Sequence, residues 1–115
     1  MGLGGALADG APPTANSRTA IGLFYTLRMA VADDFAEAQT RVKTLKTTPS
    51  PDELLELYAL YKQATVGDVQ GDRPGMLDFK GRAKYDAWAS RKSMPSEGAM
   101  SAYVELVKRL AQKYG

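Results

Sequence analysis

The chain contains no cysteine and no histidine. Without thiols there is neither a disulfide framework nor a thiolate metal site, and the chain suits a reducing compartment without requiring one. Without imidazole, the commonest metal ligand and the commonest general base are gone, together with every Ser/His or Cys/His nucleophile. Carboxylate, lysine or tyrosine chemistry is all that stays open to an enzyme. The adjacent acids Asp33 and Asp34, Asp52 and Glu53, and Asp68 with Asp72 fall at helix starts or in a loop, where acids favour the positive helix end or a turn. No catalytic residue and no metal site is expected. A strong charge of one sign is missing too: 15 Lys and Arg face 13 Asp and Glu, for a net charge of +2, which argues against nucleic-acid binding. The longest apolar stretch, Ala20 to Ala32, is broken by Arg28 and falls short of the ~20 residues of a spanning helix, so no stable membrane insertion is expected.

What is present fits one globular domain behind a leader. The 115 residues are the size of a single core, and 44% of them are hydrophobic. Met1 to Ser17 is rich in Gly, Ala and Pro with a single charge at Asp9, which reads as a flexible leader. Met1-Gly2 resembles an N-myristoylation start, but Ala6 stands where that signal has a hydroxyl residue. Arg18 to Ala32 carries two Arg and no acid, a pattern open to an organelle-targeting segment or to an extra helical turn. The leader is therefore set at residues 1–32 and the domain at 33–115.

From Asp33 the periodicity turns helical. Phe35, Ala38, Val42 and Leu45 recur at three- and four-residue steps, predicting a first helix. Ser50-Pro51-Asp52-Glu53 is a capping box with Pro at the first helical position, predicting a second helix from about Pro51 to near Gly67. The stretch from Gly67 to Phe79 holds three Gly and one Pro without a sustained period, a long loop that does not oblige its flanking helices to run antiparallel. A short third helix spans about Lys80 to Ser90. A fourth, the most regular, follows Met94-Pro95 and carries Met100, Tyr103, Val104, Val107, Leu110, Ala111 and Tyr114 on one stripe. With no strand-like alternation, the fold class is all-α, a four-helix bundle.

Tyr58, Tyr61 and Lys62 lie at i, i+3 and i+4, so two phenols and an ammonium share one side of the second helix. Such a face suits a nucleobase that bears phosphate; it equally describes half-buried core tyrosines with their hydroxyls at the rim. Lys80 with Lys84 and Lys43 with Lys46 are further basic pairs, ordinary on solvated faces but a polyanion site wherever they converge. Gly71-Asp72-Arg73-Pro74-Gly75 lacks the spacing and the following Lys-Ser or Lys-Thr of a phosphate-cradling loop.

The literal sequence goes further. Tyr58-Ala59-Leu60-Tyr61-Lys62-Gln63-Ala64-Thr65-Val66-Gly67-Asp68, followed by Arg73-Pro74-Gly75-Met76-Leu77-Asp78-Phe79-Lys80-Gly81-Arg82-Ala83-Lys84-Tyr85-Asp86-Ala87-Trp88, resembles the signature of the acyl-CoA-binding proteins, also called diazepam-binding inhibitor. The resemblance extends from about Asp33 to Gly115. It implies an up-down-down-up bundle in which the long loop between helices two and three lets them run parallel. It also implies binding of long-chain acyl-CoA by a monomer, one ligand per chain, for cytoplasmic transport and pool formation, without catalysis and without a cofactor. By the same resemblance Tyr58, Tyr61, Lys62 and Lys84 surround the adenine and 3′-phosphate, with Tyr103 nearby, and Lys43 and Lys80 lie in the binding groove. Leu55 and Met76 are candidates for contact with the acyl chain. Tyr85 stands where many members have Trp, and Met94-Pro95 stands where a hydroxyl residue often caps helix four. The competing reading is a helical module that binds a protein partner or receptor.

Overall fold

The computed structural model describes residues 14–115, and the reading of Met1 to Pro13 as leader and of a myristoylation start lies outside the described residues. Four helices follow in order: α1 (Thr14–Val42), α2 (Pro51–Thr65), α3 (Phe79–Ala89) and α4 (Ser96–Tyr114), with no strand among the described residues. The all-α class thus holds. The boundaries of α2, α3 and α4 fall within a residue or two of the predicted ones. α1 is the exception: its helical backbone begins at Thr14, well before Asp33, where amphipathic periodicity starts. Between Arg18 and Ala32 the sequence has no clean polar face, so periodicity could not register a helix there. The chain divides into two compact units at Ala30 and Val31. Among the described residues, no helix is long and apolar enough to cross a membrane.

In the unit from Val31 onward, three helices build the core. Phe35 and Ala38 of α1, Leu57, Leu60 and Ala64 of α2, and Ala99, Tyr103, Leu106, Val107 and Leu110 of α4 form one buried cluster, with Val42 and Leu45 packed against its edge. Cross-contacts fix the directions. Glu53, at the start of α2, meets Tyr114 at the end of α4, whereas Ala64 near the end of α2 meets Ser96 at the start of α4, so these two helices are antiparallel. Phe35 packs on Tyr103, and Lys46, just past α1, donates its amide to the Tyr114 carbonyl, so α1 runs parallel to α4. Lys84 lies over Tyr58 and Trp88 under Lys62, so numbering rises together along α2 and α3 and they are parallel. The result is the up-down-down-up order.

α2 begins as its capping box requires. The Ser50 hydroxyl accepts from the Glu53 amide at 3.2 Å while Glu53 Oε1 accepts from the Ser50 amide at 2.8 Å. It ends at Gly67, whose φ of +100° is open to glycine and strained for any other residue. Gln63, only 1% exposed, is the one buried polar side chain of α2. Its Nε2 donates to the Met94 carbonyl and to Asp68, both at 2.9 Å, tying the loops on either side of α3 together.

α3 is different in kind. It is 11 residues long and its single buried side chain is Trp88. Apolar burial holds it weakly, and polar ties to the preceding loop complete its attachment. Trp88 Nε1 donates to the Gly67 carbonyl at 2.7 Å, the Tyr85 hydroxyl to Gly71 at 3.0 Å, and Arg82 Nε to Pro74 at 2.9 Å and Gly75 at 3.1 Å. Arg73 grips Asp86 with two hydrogen bonds of 2.9 and 2.7 Å, the planar fork geometry that arginine makes with a carboxylate. The long loop is thereby fastened to α3 along most of its length.

Candidate ligand site between helices two and three

Because α2 and α3 run parallel and α3 stands clear of the main core, a groove opens between them. Pro51, Leu54, Leu55 and Tyr58 line it from α2, and Phe79, Lys80, Ala83 and Lys84 from α3, around about 360 Å³. That volume lies within the roughly 300–1,000 Å³ of small-molecule sites. The wall is almost wholly apolar. Charge enters at the α3 side, through Lys80 and Lys84, which lie one helical turn apart.

At the far end of the groove the two helices exchange cations and rings. Lys84 Nζ of α3 lies 5.5 Å from the Tyr58 ring centre on α2, and Lys62 Nζ of α2 lies 4.8 Å from the Trp88 ring on α3. Each ammonium is held at an aromatic face by the ring quadrupole. This crosswise pair follows from i, i+4 spacing on both helices, Tyr58 to Lys62 and Lys84 to Trp88, combined with parallel packing. Tyr61, one residue before Lys62, turns toward α1 instead: its ring centre is 6.1 Å from that of Phe35. Phe35 in turn meets Tyr103 edge-to-face at 5.1 Å. Tyr103 is buried, and burial foremost, with the Tyr61 phenol second, raises its hydroxyl above the ordinary phenol range. It remains a neutral hydroxyl at physiological pH.

Of the seven predicted site residues, Tyr58, Lys80 and Lys84 line the groove, Lys62 stands at its end, and Tyr61 and Tyr103 form an aromatic row through Phe35. Lys43 lies exposed in the turn after α1 and does not line the groove. Leu55 lines the groove, whereas Met76, named with it for the acyl chain, does not. Sequence reading overlooked Leu54, Phe79 and Ala83. Phe79 and Ala83 were accessible to it, since each directly precedes Lys80 or Lys84 and shares their four-residue step. It also overlooked Asp78, whose carboxylate caps α3 by accepting from the Gly81 amide at 2.9 Å. A Cβ at position 81 would collide with that carboxylate, which accounts for a glycine inside the helix.

A larger groove of about 570 Å³ lies between α1 and α4, lined by Asp34, Glu37, Ala38, Thr40, Arg41, Val104, Val107 and Lys108. None of the predicted residues borders it. Its two carboxylates oppose its two cations, so it offers no net attraction to a polyanion.

A family model described as Acyl CoA binding protein matches residues 32–107. The chain belongs to the acyl-CoA-binding protein family. Among its relatives, the Acyl-CoA-binding protein homolog 1 of Caenorhabditis elegans is 57% identical over 81 residues, covering 70% of this chain and 94% of that protein. The crystal structure of Oryza sativa Acyl-CoA-Binding Protein 2 superposes with a TM-score of 0.71 at 42% identity, covering 74% of this chain and 92% of that one. The solution structure of the yeast Acyl Coenzyme A Binding Protein is 50% identical with a TM-score of 0.57, covering 70% of this chain and 93% of that one. At these identities the likeness extends beyond the fold to the acyl-CoA-binding family itself.

Proposed function

We propose that this chain is an acyl-CoA carrier: it binds the thioester of coenzyme A with a long-chain fatty acid, one ligand per monomer, and moves and stores it in the cytoplasm without chemical change. Membership of the acyl-CoA-binding family supports the carrier reading. The observation that carries the site assignment is the apolar groove ending in crossed lysine and aromatic pairs, because the ligand has the same two-part chemistry. Each acyl methylene removed from water contributes about 0.8 kcal/mol, and the Leu54, Leu55, Phe79 and Ala83 wall suits that half. The ammonium groups of Lys62, Lys80 and Lys84 suit the phosphates as point charges, with Tyr58 and Tyr61 offering aromatic faces to adenine. Lys43 and Tyr103 complete the proposed set, Lys43 as a more distant charge and Tyr103 as the buried backing of Tyr61 through Phe35.

Two titrations test the reading. Calorimetry should show affinity rising with acyl length from CoA toward palmitoyl-CoA, and equal affinity for free CoA and palmitoyl-CoA would sink the carrier reading. Lys62→Ala and Lys84→Ala should each weaken binding by about 1.5 to 3 kcal/mol, the usual range for hydrogen bonds to charged groups. Those losses should fail to add to the loss caused by removing the ligand's 3′-phosphate, leaving a coupling well above the ~0.5 kcal/mol of independent sites. Additive losses would mean that the lysines act elsewhere on the ligand.

A further inference from the structure

The amide of Asp78 donates to the Gly75 carbonyl at 3.0 Å, closing a β-turn with Met76 and Leu77 at its two central positions. Turn tips ordinarily carry Gly, Asn, Asp or Ser, residues that favour turn backbone and accept water. Here the tip is apolar and lies in the open: Leu77 is 91% exposed, and Met76 and Phe79 are each 75% exposed. Such a tip would normally be relieved by folding inward. It is prevented from doing so, because Arg82 holds the carbonyls of Pro74 and Gly75 and Arg73 grips Asp86. The loop is braced in a shape that displays these side chains.

The charges around the tip have one prevailing sign. The first two turns of α3 supply Lys80, Arg82 and Lys84, with Lys80 and Lys84 exposed. The nearest acid, Asp78, turns its carboxylate onto the Gly81 amide, and Asp52 lies in the first turn of α2. Met76 and Leu77 do not line the groove, but Phe79 and Lys80 belong both to its wall and to this surface. We propose that the Met76-Leu77 turn is a lipid-docking tip, which seats the mouth of the groove on an anionic bilayer surface. The apolar tip enters the headgroup region while Lys80, exposed beside Phe79 at the start of α3, faces lipid phosphates, the combination of small apolar insertion and basic attraction that gives reversible peripheral binding. Its purpose, loading and unloading the groove at the membrane, rests on the acyl-CoA reading above; the surface assignment does not.

The experiment uses the full chain without ligand and vesicles of phosphatidylcholine with about 30% phosphatidylserine, against phosphatidylcholine alone, in co-sedimentation. The unaltered protein should partition onto the anionic vesicles in preference to the neutral ones, and Leu77→Ser should weaken that partition by about tenfold. Leu77→Trp should keep it and show an emission blue shift on vesicle addition. Because Leu77 is almost wholly exposed and outside the groove, Leu77→Ser should hold dodecanoyl-CoA in vesicle-free solution within about twofold of the unaltered protein. Equal vesicle partition of the two proteins, or none by either, would overturn the proposal. So would parallel losses of vesicle and dodecanoyl-CoA binding, which would assign the turn to the ligand site. Concentration-dependent self-association abolished by Leu77→Ser would overturn it in favour of a second copy of the chain. Failure of both proteins to bind dodecanoyl-CoA in solution would instead sink the acyl-CoA reading, with the vesicle result still deciding the docking surface.

Discussion

Pro95 holds the N-cap position of α4 and offers no side-chain acceptor to the open amides of the first turn. Its backbone, at φ −61° and ψ 147°, has the extended shape of a good cap, so only the oxygen is missing. Two effects compete on replacing it. A serine hydroxyl adds about 1 kcal/mol of capping. Losing proline frees the unfolded chain and costs about 0.4 to 1 kcal/mol. Pro95→Ser should therefore change stability little, while exceeding Pro95→Ala by about 1 kcal/mol in urea titration, since the two share the proline loss and differ in the cap. The neighbouring Ser93, at φ +76°, shows a different solution to a tight passage. Its amide donates to Asp68 at 2.7 Å, and that bond, after the stronger one from Gln63, keeps the Asp68 carboxyl below its ordinary range.

Between elements, the decisive group is Glu53. Its Oε1 caps Ser50 and accepts from the Tyr114 hydroxyl at 2.6 Å, and its Oε2 meets Lys113 at 2.9 Å. The Tyr114 hydrogen bond foremost, then the Ser50 amide and Lys113, lower its pKa from 4.5 to about 2. A carboxylate whose folded pKa is depressed stabilises the fold above its unfolded pKa, and that contribution fades as pH falls through the folded value. Stability should thus decline between about pH 4.5 and about pH 2 through this group. Glu53→Gln should melt lower than the unaltered protein at pH 7 and differ less from it at pH 2, read by thermal circular dichroism. Only half of this junction was legible in the sequence. The capping box is a four-residue pattern and announces itself, but Tyr114 lies 61 residues away, and nothing local links the two. The same contrast runs through the site. Tyr58 with Lys62 and Lys80 with Lys84 were visible as helical spacings, whereas the crossing of Lys62 onto Trp88 and Lys84 onto Tyr58 needs the parallel packing of α2 and α3. That packing entered the sequence reading through family resemblance, since a long loop permits it without requiring it.

On the scale of the whole molecule, the buried cluster and both faces of the groove come from residues 31–115. Deletion of residues 1–30 should accordingly leave acyl-CoA affinity within about threefold in calorimetric titration. The helical signal per remaining residue should stay the same, since α2, α3, α4 and the later part of α1 are retained. A large loss of affinity would bring the first thirty residues into the site. The start of α1 marks the limit of pattern reading on this scale: a stretch such as Ile21 to Met29, apolar without a polar face, gives periodicity nothing to detect. The helices that follow were legible where a local signal was strong, the Ser50 capping box for α2 and the regular apolar stripe for α4.

Trp88 is the sole tryptophan in the chain, and its indole is bonded to Gly67 on one side while the Lys62 ammonium rests 4.8 Å from its ring centre. An excited indole responds strongly to a nearby charge. Any phosphate that draws Lys62 away from the ring changes that charge without displacing the indole itself. The protein consequently carries a built-in optical reporter at the head-group end of its groove, readable on unlabelled material.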